Sequence, residues 1–192
     1  MTRIVSLALA VSLFASAPAL AAKEAPEIGP LPDAEYIADI NAKWRGVGVG
    51  YDNGLWGQNF GQGVKLDLPF GPKIGQFVGL RLRGLMIHEE TPNAFTPVMG
   101  GGAELFGRGP VLMGIVRVYG GGGVYYGEAL NLDSAEPRLT AGGHYGVEVL
   151  VSERNSFTFE VGGQGPMHPD GRDAGASVMA GTTFYFGDLG KK

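Results

Sequence analysis

Cysteine is absent from the 192 residues, which removes disulfides, thiolate metal sites and cysteine nucleophiles together. A basic excess is absent too. Lys and Arg number 15 against 19 Asp and Glu, for a formal charge of −4, whereas nucleic-acid binders are normally basic. Loss of Arg3 with a leader would take that charge to −5. Past the leader no stretch reaches 18 apolar residues, so a helical membrane span is excluded. What the chain has in excess is glycine: 34 residues, about 18% against a usual 7%. No collagen-like period accompanies it, and 44% hydrophobic residues is too many for a disordered chain.

The N-terminus reads as an export signal. Thr2-Arg3 gives a positive start, Ile4 to Phe14 an apolar run, and Ala19-Leu20-Ala21 a small-residue cleavage site. Pro18 and the short apolar core argue against a membrane anchor. The expected organisation is a signal peptide over 1–21, a periplasmic arm rich in Pro, Ala and acids over 22–42, a barrel over 43–187 and a tail over 188–192.

From residue 43 the apolar pattern has period two, and Gly and Pro clusters divide it into eight candidate strands. They span 43–51, 60–68, 76–87, 97–106, 111–126, 139–151, 156–163 and 175–186. A tilted strand crosses a bilayer in about 9–11 residues, so most suffice. Long polar links at 52–59, 88–96, 127–138 and 164–174 alternate with short ones at 69–75, 107–110 and 152–155. Short periplasmic turns, longer external loops and an even strand number mark an outer-membrane barrel.

Sorting each strand by parity separates two faces. One is nearly free of charge and carries Val47, Val49, Val64, Leu82, Leu105, Val118, Val147, Phe157, Phe159, Val178 and Phe184 among others, with Arg45 its only ion. The other collects Lys65, Asp67, Arg81, Arg83, Glu104, Arg117, Glu148 and Glu160, four bases and four acids, together with many glycines. A barrel of eight strands is just wide enough for side chains to fill it. Charges turned into that space must pair. Arg81, Arg83 and Arg117 are therefore expected to face Glu104, Glu148 and Glu160 and plug the lumen. The inverse, a lipocalin-like soluble periplasmic barrel around a lipid, needs a water-facing surface about 25–35% charged, and the polar face is mostly glycine. Tyr51, Trp56, Phe60, Phe70, Tyr126, Phe184 and Phe186 near strand ends suit interfacial girdles.

This layout resembles the small eight-stranded outer-membrane barrels: the outer membrane protein A transmembrane domain, the outer membrane protein X group and the opacity proteins. The likeness spans about 43–187. It includes Gly146-Val147-Glu148-Val149-Leu150-Val151 leading by a tight turn into Phe157-Thr158-Phe159-Glu160-Val161-Gly162, and a last strand ending in alternating Phe184 and Phe186. The resemblance implies an all-β, up-and-down antiparallel transmembrane β-barrel in the outer membrane. It also implies contact with outer-membrane lipid and lipopolysaccharide, and a C-terminal strand read by the barrel-assembly machinery.

Chemistry-bearing motifs are few, and no catalytic residue, metal ligand or cofactor is assigned. His144 shares a face with Glu148 at roughly 13 Å, too far to touch. A nucleophilic set would need Ser177 or Ser156 to approach it across the barrel. Outer-membrane lipid A deacylases carry His-x-Ser on a strand, and His144-Tyr145-Gly146 lacks the serine. A lipid A or phospholipid acyl hydrolase therefore stands as the enzymatic alternative, with Ser177 and His144 its test positions. The runs Gly100–Gly102 and Gly120–Gly123 precede strands, not the helix a phosphate loop needs. His88, Glu89 and Glu90 read as solvated loop. Eight acids assigned to long loops (Asp52, Glu89, Glu90, Glu128, Asp133, Glu136, Asp170, Asp173) face Arg138 and Arg172. That excess suggests divalent cations shared with lipopolysaccharide, a surface partner, or simple solubility.

Overall fold

The computed structural model describes residues 46–57, 59–70, 74, 77–91, 94–129, 138–152, 154–167 and 175–187, without side chains for 90–96 and 129. The proposed signal peptide, arm and tail fall outside these residues, as do Arg45, Asp133, Glu136, Asp170, Arg172 and Asp173.

Eight strands form one closed sheet: β1 Val47–Trp56, β2 Asn59–Pro69, β3 Val78–Thr91, β4 Ala94–Arg108, β5 Val116–Ala129, β6 Arg138–Leu150, β7 Asn155–Pro166 and β8 Gly175–Phe186. Each pairs antiparallel with its sequence neighbours. β1 closes the cylinder on β8 from Val47↔Phe186 to Leu55↔Val178. Closure leaves no unpaired strand edge, which is the condition for a sheet in hydrocarbon.

The alternation of long and short links is not what the structure shows. The expected loops at 52–59 and 88–96 are strand, paired to Trp56↔Asn59 and Thr91↔Ala94, so two residues join each hairpin. Asp52 and Glu89 fall on the inward parity of extended backbone, so polarity alone did not mark a loop there. At the opposite end, β5 starts at Val116 where apolar composition suggests 111. Residues 109–115 turn instead, around Met113 at φ 51° and Gly114 at φ 72°, with Leu112 bridged to Val116. Two successive left-handed residues end strand pairing however apolar the run. We call the end carrying the β1–β2, β3–β4, β5–β6 and β7–β8 links distal, and the other the terminal end.

The apolar parity points out. Val64 and Leu105 are each 60% exposed, and Val118, Phe157, Phe159 and Val161 are also open. On the strands, among residues whose side chains are described, the only ionised outward group is Glu128, at the distal end of β5. The polar parity is buried inside. A soluble barrel enclosing a lipid would have the two faces exchanged.

Candidate functional site: the ion-paired lumen and its distal cup

All eight charges of the polar face lie in the lumen at 3% exposure or less. Two more join them that sequence reading had placed in links, Asp52 at 1% and Arg108 at 5%. Asp52 was expected among exposed loop acids. It is interior because β1 continues five residues past Tyr51 with unbroken alternation. Arg108 is the last residue of β4, again on the inward parity. The interior charge thus remains balanced, with five bases and five acids.

Glu160 of β7 is the hub. Arg81 Nη1 donates to its Oε1 at 2.7 Å, Arg83 Nη2 to its Oε2 at 2.7 Å and the Tyr119 hydroxyl to Oε1 at 2.8 Å, with Lys65 Nζ 3.9 Å away. Arg81 also grips Asp67 with both arms, Nε to Oδ1 at 2.6 Å and Nη2 to Oδ2 at 3.2 Å. That fork is the strong, directional form of the pair. Lys65 donates to Asp52 at 2.6 Å and to Thr158 at 2.9 Å. Arg83 Nε lies 2.9 Å from Glu104 and Nη1 lies 3.2 Å from Asp52, contacts that are ionic and not aligned hydrogen bonds.

Nearer the terminal end, Glu148 takes Arg117 Nε, the Tyr185 hydroxyl and Ser156 Oγ. Arg117 and Arg108 both donate to the Tyr185 hydroxyl, at 3.0 and 3.1 Å, and Arg108 reaches Asp67 at 2.5 Å. Tyr185 therefore joins the two halves into one network. Below it Val111, Leu150 and the Tyr185 ring close the terminal end as an apolar seal.

Glycine makes the network possible by giving long side chains somewhere to lie. A Cβ on Gly146 would sit 2.5 Å from Tyr119 Cζ, and one on Gly102 would sit 2.2 Å from Tyr125 Cδ1. Each tyrosine fills the place its glycine leaves empty, and then holds a carboxylate: Tyr119 on Glu160, Tyr125 on Glu104 at 2.6 Å.

His144 faces inward, with Nδ1 3.8 Å from Glu104 Oε2 and no hydrogen-bond partner on Nε2. Gly162 pairs with both His144 and Ser177, so the three share one row. The void beside them is about 10 Å³, room for one water and not for an ester. Ser156, the other candidate nucleophile, is committed to Glu148 at 2.5 Å. Among the described residues no group of three or more His, Asp or Glu is placed to hold a metal.

The distal end differs. Trp56 is not in a lipid-facing girdle. It is 7% exposed and lies inside, edge to face with Tyr125 at 4.9 Å. With Leu85 and Met179 the two rings form an apolar layer across the lumen. Above it opens a cup of about 170 Å³. Arg138 and Glu89 of the expected loop set meet at its rim, 2.9 Å apart and each about 30% exposed.

The barrel fold has solved counterparts. The N-terminal β-barrel domain of Pseudomonas aeruginosa OprF matches 74% of this chain and 98% of its own at 15% identity, with a TM-score of 0.57. Neisserial surface protein A matches 73% of this chain and 94% of its own at 10% identity, TM-score 0.52. The fold is that of the small eight-stranded outer-membrane barrels. No protein-family model and no curated protein sequence matches the chain, so the likeness is one of backbone architecture.

Proposed function

We propose that this chain is an exported, integral outer-membrane barrel with a structural or surface-interaction role and no catalytic function, whose ion-paired lumen admits at most a narrow gated conductance. One observation carries the reading: a continuous apolar exterior surrounds ten mutually paired ions. Moving an unpaired ion into so dry a space costs several kcal/mol. The network therefore forms as a unit and fills the path along the axis, with the seal of Val111, Leu150 and Tyr185 at one end.

Outer-membrane lipid surrounds the exterior, the barrel-assembly machinery inserts it through the strand ending in Phe184 and Phe186, and lipopolysaccharide lies against the distal end. The acidic character of that end is smaller than composition suggests, since Asp52 is interior and Glu89 is held by Arg138. Divalent cations between Glu128, neighbouring acids and lipopolysaccharide would protect the distal links from protease. Unchanged protease sensitivity of outer-membrane vesicles after chelation would remove that part of the reading.

Fractionation tests the whole. Recovery in the outer membrane, extraction only by detergent, and a planar-bilayer conductance near baseline are expected. Release into the periplasmic fraction without detergent would refute it.

A further inference from the structure

The lumen is filled for most of its length by the ion-paired network, and below the Trp56 and Tyr125 layer the void beside His144 is about 10 Å³. Above that layer the packing among the described residues stops. Gly57, Gly100 and Gly127 line the cup, the first two where a Cβ would meet Gln164 Nε2 at 2.7 Å and Tyr126 O at 2.4 Å, and a space of about 170 Å³ remains. A cavity of about 150 Å³ accepts a benzene molecule. The cup is therefore sized for a single six-membered ring with short substituents.

Its walls differ in character. Trp56 and Tyr125 make an aromatic floor, and Ile87 and Val98 an aliphatic side. Thr140 and Gln164 face them from β6 and β7, and the Arg138–Glu89 pair sits at the rim. A wholly apolar ligand would strip water from the polar side without replacing its hydrogen bonds. A free anion or cation would compete with one member of the Arg138–Glu89 pair for the other. A neutral ligand keeps the pair intact. The Glu89 carboxylate has about four acceptor sites, so it has capacity beyond one shared bond. What fits is a neutral ring with a C–H face for the aromatic floor and hydroxyls for the threonine, the amide and the ion pair.

We propose that the distal cup binds one neutral pyranose ring, either a free monosaccharide or the end residue of a glycan. The inference concerns the cup alone. The outer-membrane reading decides only which compartment supplies the sugar, and the binding test below does not depend on it.

The test uses the full mature chain in an amine-oxide detergent, which carries no sugar headgroup. Methyl pyranosides of glucose, galactose, mannose and N-acetylglucosamine are titrated and followed by saturation-transfer NMR. Trp56 fluorescence is read in parallel in a Trp44→Phe background. Saturable binding of at least one pyranoside is expected. It should weaken tenfold or more in Ile87→Trp, which fills the cup, and in Glu89→Gln, which removes the rim charge at a partly exposed site. The gel shift of the unboiled protein reports that each variant has folded. A disaccharide ending in the preferred ring should bind as well as the methyl glycoside if the source is a glycan end, and worse if it is a free sugar. Failure of all four pyranosides to bind, or binding unchanged in both folded variants, overturns the proposal. So does tighter binding of leucine or inorganic phosphate, which would make the cup a zwitterion or anion site.

Discussion

Glu160 and Glu148 carry different loads, and substitution should separate them. Glu148→Ala leaves Arg117 buried without its carboxylate and removes the acceptor to which the Tyr185 and Ser156 hydroxyls donate. Breaking a buried pair from one side costs about 3–5 kcal/mol, so the urea midpoint of refolding into bilayers should fall clearly, or a conductance should appear. Unchanged midpoint together with unchanged current would contradict the account. Glu160→Gln keeps the shape but removes the charge facing Arg81, Arg83 and Lys65. It should raise conductance more than Glu148→Ala does, because Glu160 lies in the middle of the lumen and Glu148 near the apolar seal. Single-channel recording of the two variants decides the order. His144→Ala, by contrast, removes a side chain whose Nε2 has no partner and should change stability by less than either.

At the scale of strands and hairpins, glycine has opposite meanings on the two faces. Gly102 faces Tyr125, and any Cβ there meets the ring and Val124 O at 2.6 Å. Overpacking of this kind costs about 1–3 kcal/mol, so Gly102→Ala should lower the unfolding midpoint and disturb the floor of the cup. Gly165 has open space around its Cβ position, and Gly165→Ala should stay within about 0.5 kcal/mol of the parent. Equal effects from the two would contradict the assigned parity. This parity is also what the sequence made legible. Alternation identifies eight strands and the eight charges from Lys65 to Glu160 because a period of two needs no tertiary information. Asp52 and Arg108 escaped because strand ends are set by pairing across the hairpin, which composition does not encode. Trp56 escaped for the same reason: a strand thought to end at Tyr51 cannot assign it a face. The cup was not legible at all, since it is a space bounded by seven strands whose registers only closure fixes.

The whole cylinder makes one demand of its surroundings, that hydrocarbon meet its exterior. Closure of every strand edge should keep the cylinder folded in sodium dodecyl sulfate until it is heated, so unboiled and boiled protein should migrate differently on a gel. The absence of cysteine permits a more direct measurement. Single cysteines at Leu82, Val118, Val147 and Phe159, all outward and exposed, can each carry a nitroxide spin label in protein refolded into bilayers. The account predicts that relaxation at all four is enhanced by molecular oxygen, which concentrates in lipid, and barely by a water-soluble nickel complex. Dominant enhancement by the nickel complex at these sites would place water against the apolar face and contradict the membrane-spanning reading.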